Sequence, residues 1–86
     1  MTKPIVKKLK TKIIIHGKNN NKVIIENIRK AGRIYGENSY AVDIYINKHK
    51  IHTSQLIFAK NIGDLRKYFK KAYPEKLIDI LVHTTL

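Results

Sequence analysis

The spacing of hydrophobic positions changes along this chain. In "SYAVDIYI", residues 39 to 46, Tyr40, Val42, Ile44 and Ile46 alternate with Ala41, Asp43 and Tyr45, the period-2 pattern of a half-buried strand. "NKHK" then reads as a hairpin turn into "IHTSQLIFA", a second strand whose register stays open because one residue of loop length swaps its faces. Upstream, "KLKTKIIIH" (8 to 16) ends in a β-branched run. It reads as a strand with Leu9, Thr11, Ile13 and Ile15 on one face and Lys8, Lys10, Lys12, Ile14 and His16 on the other. From Asn61, a candidate N-cap, Ile62, Leu65, Phe69 and Ala72 recur at helical spacing while Arg66, Lys67, Lys70 and Lys71 face outward. This amphipathic helix stops near Pro74. The end, "KLIDILVHTT", sets Ile78, Ile80 and Val82 against Asp79, Leu81 and His83 and reads as a final strand.

Residues 21 to 32, "NKVIIENIRKAG", admit two readings. As a strand they alternate poorly, because Ile24, Glu26, Ile28 and Lys30 would share a face. As a helix, Ile24, Ile28 and Ala31 form a stripe, an Asn run supplies N-caps, and Gly32 stands where a left-handed terminating residue belongs. The helical reading is favoured. It gives the order strand, helix, strand, strand, helix, strand: a ferredoxin-like split βαβ, with two helices on one face of a four-stranded antiparallel sheet whose first and third strands are central. The competing reading makes 22 to 35 a strand and predicts a curled β sheet with one or two helices behind it.

Composition changes what such a domain can be for. In 86 residues, 18 Lys and Arg stand against 6 Asp and Glu, a net charge of +12 and a pI near 10.1. A chain of this length forms one domain, here 1 to 86 with a loosely ordered start at about 1 to 6, and buries roughly 60–65% of its unfolded surface. Its positive excess repels itself and is relieved by a polyanion, so nucleic acid, DNA or RNA, is the expected partner. Cysteine is absent, which excludes disulfides and thiolate metal sites. No apolar run approaches the ~20 residues that span a bilayer, so the expectation is a soluble, cytoplasmic protein without a membrane partner. The Lys, Ile and Asn bias suggests an AT-rich genome, such as that of a low-GC bacterium, its phages or its plasmids.

The split βαβ order makes a spatial prediction. Loop 17 to 22, turn 47 to 50 and the end of the second helix fall at one end. Lys18, Lys22, Lys48, His49, Lys50, Lys70, Lys71 and Lys76 then form a phosphate-binding surface, with Tyr73 among them. The unpaired amides at the start of the first helix would point the same way, at "GKNNN". Ile14, Tyr45, Leu81 and, depending on register, Ile57 would lie on the open sheet face as a homodimer or partner surface.

Other chemistries find little support. "GKNNNK" lacks the second glycine and the Lys-Ser/Thr pair of a P-loop. "IIIHGK" resembles part of the His-Gly-Lys-Gly loop of Smr-type nucleases but lacks the glycines that follow. His49 and His52 would point to opposite faces of a strand, and His16 and His83 would lie roughly 20 Å apart at ~3.3 Å per residue. Glu26, Glu37, Asp43, Asp64, Glu75 and Asp79 are scattered, so neither a metal nor a cofactor is expected. RRM domains share the element order, but their base-stacking aromatics on the central strands are missing: strand one offers Ile14 and His16, and strand three only Phe58, expected to be buried. Arg is scarce, which argues against bidentate guanine readout. The expectation is a small, basic, non-enzymatic nucleic-acid-binding protein. The alternatives are a phage or mobile-element protein that inhibits or remodels a nucleic-acid-handling complex, and a small ribonuclease toxin using Lys, His and Tyr.

Overall fold

A computed structural model describes residues 11–85. Four strands come first, β1 (Ile13–His16), β2 (Lys22–Ile34), β3 (Glu37–Ile46) and β4 (His49–Phe58), then two helices, α1 (Ile62–Ala72) and α2 (Glu75–Thr85). The strands form one antiparallel sheet in the order β1-β2-β3-β4. The α+β class, four antiparallel strands and two helices stand, but the interleaved ferredoxin-like order does not. The central strands are β2 and β3. The expected loose segment 1 to 6 and strand residues 8 to 10 lie outside the described residues.

The first expected helix is a strand whose alternation is broken by one extra residue. Val23 and Ile25 are fully buried, pairing with Ile15 and Ile13 on one side and with Ile46 and Ile44 on the other. After the pair Glu26↔Asp43 the register shifts, and Arg29 pairs with Ala41. Asn27 takes the extra position with φ 53°, a left-handed conformation that asparagine tolerates better than most residues. This bulge inverts the alternation, so Ile28 joins Val23 and Ile25 in the core. A second shift follows between Lys30 and Gly32. Gly32, at φ 104°, is left-handed within a bulge and terminates no helix. The β2–β3 connection is the two-residue turn Tyr35-Gly36, both at positive φ, the sign that tight hairpin turns require.

Gly36 (φ 78°) has no heavy atom within 4 Å of where a Cβ would sit, so Gly36→Ala introduces conformational strain without a clash. It is expected to destabilise by about 1 kcal/mol, read as a lower urea midpoint, with Gly36→Asn close to neutral.

Helix α1 follows its sequence signals. The Asn61 side chain accepts the Asp64 amide at 2.9 Å, Leu65 and Phe69 are buried, and the Tyr73 amide closes the last turn on the Phe69 carbonyl at 3.0 Å. The expected final strand is instead α2. The Pro74 carbonyl accepts from the Leu77 and Ile78 amides at 2.9 and 3.1 Å, so the proline that ends α1 also opens the next helix. The run Leu77-Ile78-Asp79-Ile80-Leu81-Val82 carries both periods. The helical one buries Ile78, packs Leu81 and Val82 on the core and leaves Ile80 exposed. Leu65, Phe69 and Ile78 close one core with the buried residues of all four strands, so both helices cover the same sheet face and the opposite face is open.

Candidate nucleic-acid interface

"GKNNN" is a tight turn between two strands. The Gly17 amide donates to the Asn21 carbonyl at 2.7 Å and the Asn21 amide to the Lys18 carbonyl at 3.0 Å, with Asn19 and Asn20 left-handed at φ 55° and 63°. No helix begins there, so no helix N-terminus points its amides at these residues to hold an anion. Part of the expected cluster nevertheless assembles. The Asn47 side-chain oxygen accepts the Lys22 amide at 3.0 Å, the Asn47 amide donates to the Lys22 carbonyl at 2.8 Å, and the Asn47 side-chain amide donates to Asn21 at 3.2 Å. Lys18 reaches Glu75 at 3.9 Å. These contacts bring Lys18, Lys22, Lys48, His49 and Lys76 to one end of the molecule. Lys50, however, is engaged on the open face, 5.6 Å from the Tyr45 ring centroid and 4.0 Å from Asp43. Tyr73 stacks on Phe69 at 6.3 Å. Burial, with Tyr68 nearby, raises its phenol above the ordinary value, so it stays protonated at neutral pH.

Lys70 and Lys71 belong to a different place. They line a groove of about 830 Å³ together with Arg33, Gly36, Glu37 and Asn38 of the β2–β3 hairpin, Phe58, Ala59 and Lys60 at the end of β4, and Asp64, Lys67 and Tyr68 of α1. The groove is built by local bonds. The Ala59 amide donates to the Asn38 carbonyl at 3.1 Å, the Asn38 side chain donates to the Lys60 carbonyl at 2.9 Å, and Arg33 donates across the hairpin turn to the Gly36 carbonyl at 2.8 Å. Residues 64, 67, 68 and 71 share one face of α1 at i, i+3, i+4 and i+7. Five cations thus meet two carboxylates. Among the described residues, none of these five cations makes an ion pair within 4.0 Å, whereas Lys12, Lys18, Arg29 and Lys50 all do. Between the cations, Phe58 and Tyr68 are 45% and 47% exposed.

The open sheet face differs from expectation at two positions. Ile14 and Tyr45 lie on it, in the row Ile14, Ile24, Tyr45, Lys50. Ile57 is buried in the core, because the register pairs it with Tyr40, and Leu81 packs on the core from α2. Leu56, opposite Ala41, takes the surface place left open for Ile57 and is 42% exposed, beside 45% for Ile14. The centre of that face is polar. Asp43, 6% exposed, accepts from the Asn27 side chain at 2.8 Å, the Ser54 amide at 2.9 Å and the Arg29 guanidinium at 3.4 Å. The Asn27 amide, then the Ser54 amide, hold the carboxyl below its ordinary value; burial opposes them, and Lys50 and Arg29 add to the lowering. Because its acceptors are taken up by its own neighbours, Asp43 is a structural group.

Among the described residues no three His, Asp or Glu side chains converge as metal ligands do, and no helix is long and apolar enough to cross a membrane. No protein-family model matches the chain, and no curated protein or solved structure matches it.

Proposed function

We propose that the protein is a non-enzymatic nucleic-acid-binding protein that holds the phosphate backbone in the groove between α1 and the β2–β3 hairpin. The observation that carries this reading is the set of five cations in that groove, Arg33, Lys60, Lys67, Lys70 and Lys71, which make no ion pair within 4.0 Å among the described residues. A cation already paired gains little from a phosphate, and a cluster of unpaired ones lowers its mutual repulsion by binding one. Four of the five are lysines, point charges suited to backbone contacts that position a protein without reading bases. Lys18, Lys22, Lys48, His49 and Lys76 gather at the other end of the sheet, around the β1–β2 and β3–β4 turns, and are secondary.

The test is a salt titration of binding to duplex and single strands of mixed sequence. With five phosphates neutralised, log K is expected to fall against log salt with a slope of roughly −4 to −5 on duplex and about −3.5 on single strands, with weak dependence on sequence. Binding absent at low salt overturns the reading. A second reading, a homodimer or a protein partner across the open sheet face, has Ile14 and Leu56 in its favour. Salt-tolerant association with one protein would distinguish it, including the case of a phage or mobile-element protein acting on a nucleic-acid-handling complex.

A further inference from the structure

We infer that the groove selects single-stranded over double-stranded nucleic acid, with unstacked bases lying on Tyr68 and Phe58 while the surrounding cations hold the phosphates. This rests on the nucleic-acid reading above and adds the ligand class. Phosphate attraction alone needs no aromatic side chain, yet the groove interleaves the two kinds of group. Tyr68 follows Lys67 directly and lies one helical turn from Lys71, and Phe58 stands two residues before Lys60. Both residues are nearly half exposed in a chain with only seven Tyr and Phe residues and no Trp.

A duplex keeps its bases stacked inside and presents phosphate and sugar to a protein, so it can meet the cations but not the rings. A single strand offers both base faces and backbone, and aromatic platforms in positive grooves are the usual means of holding it. The ring of Tyr68 is also positioned before any ligand arrives. It packs edge-on against Phe69, centroids 5.2 Å apart at 81°, and Phe69 is 1% exposed in the core. A ring held in this way loses little conformational freedom when a base stacks on it. The groove's volume, about 830 Å³, falls in the range of clefts that enclose small ligands, about 300–1,000 Å³. That suits individual bases with their phosphates and is too small to enclose a duplex.

The experiment compares single-stranded oligothymidylate and oligouridylate of about 12 nucleotides with a duplex of equal length, by fluorescence anisotropy at low salt. At least one single strand is expected to bind about tenfold or more tighter than the duplex. Tyr68→Leu with Phe58→Leu, which keeps the apolar bulk and removes the rings, is expected to weaken that strand by roughly 10- to 100-fold, while duplex affinity changes less than about twofold and the salt slopes stay the same. Tyr68→Phe should retain full affinity. The wild-type protein supplies a readout that needs no variant to fold: with tyrosine its main fluorophore, emission should be quenched by the single strand and not by the duplex. Equal or tighter duplex binding, with no quenching and no effect of the double change, overturns the stacking inference and leaves the phosphate reading standing. If neither form binds at low salt, both fail.

Discussion

Asp43→Ala is expected to destabilise the protein by about 3 kcal/mol, the largest effect of any single polar substitution on the open sheet face. Asp43 is where β3 meets a bulge on each side. Asn27 on β2 and Ser54 on β4 are both left-handed at φ 53°, and each donates a hydrogen bond to this one carboxylate. Non-glycine residues held at positive φ cost of order 1–3 kcal/mol each and persist only where their surroundings fix them. Alanine removes what fixes both and leaves the partly buried Arg29 guanidinium, 3.4 Å from the carboxylate, without its counter-charge. For a domain of this size the loss corresponds to a fall in Tm of roughly 12–24 °C, measurable by thermal unfolding followed by circular dichroism. A bulge that relaxes also returns Ile28 toward the wrong face, so the damage reaches the core.

Asp43→Asn separates charge from shape. The wild-type carboxyl is held below its ordinary value of 3.8 in the folded protein. A carboxylate with a depressed folded pKa adds stability that is fully present above its unfolded pKa, about 3.9, and is lost as pH falls through the folded value. The stability difference between wild type and Asp43→Asn should therefore be constant from neutral pH to about pH 5 and shrink as pH falls below about 4. A difference that grows on acidification would assign the stability of this site to something other than the ionised carboxylate.

Asp43 also shows why parts of the fold were legible in the sequence and others were not. Strand β3 and helix α1 follow periodicities unbroken over their buried apolar positions, and the N-cap at Asn61 and the stop at Pro74 are local signals written in the sequence. Strand β2 was hidden by its bulge. The alternation of Val23 and Ile25 is reset at Asn27, and the position of Ile28 then mimics a helical stripe with Ile24 and Ala31. What decides for the strand is pairing with Ile13, Ile15, Ile44 and Ile46, which a local pattern does not contain. In α2 the dense apolar run supports either period, and tertiary packing decides which residue, Ile80, is left out.

The clustering of the 17–21 turn, Asn47 and the start of α2 survived the change of topology. Consecutive elements, strand or helix, alternate in direction in both orders, so these segments meet at one end either way. The groove was not legible. Arg33, Lys60, Lys67, Phe58 and Tyr68 come from three segments whose meeting depends on the two-residue turn at Tyr35-Gly36 and on the curl of a bulged sheet. The expected interface caught only Lys70 and Lys71 of its members.

Replacing Arg33, Lys60, Lys67 and Lys71 together with glutamine is expected to lower affinity for duplex and single strands about a hundredfold or more at low salt and to flatten the salt slope by roughly 3. Each of the four is a member of the groove, and none has an ion-pair partner within 4.0 Å among the described residues that its loss would leave unbalanced. Side chains on an exposed rim carry little packing energy, so the Tm should move by only a few degrees. The control is the quadruple change Lys18, Lys22, Lys48 and Lys76 to glutamine at the loop end, which removes the same amount of charge. If bulk positive charge were the whole cause of binding, the two variants would weaken it equally. If the groove is the site, the loop-end variant should lose no more than about tenfold, because surface charges beyond a Debye length of ~10 Å from the bound strand are largely screened. Binding that depends only on how many lysines remain, and not on which, would overturn the assignment to the groove.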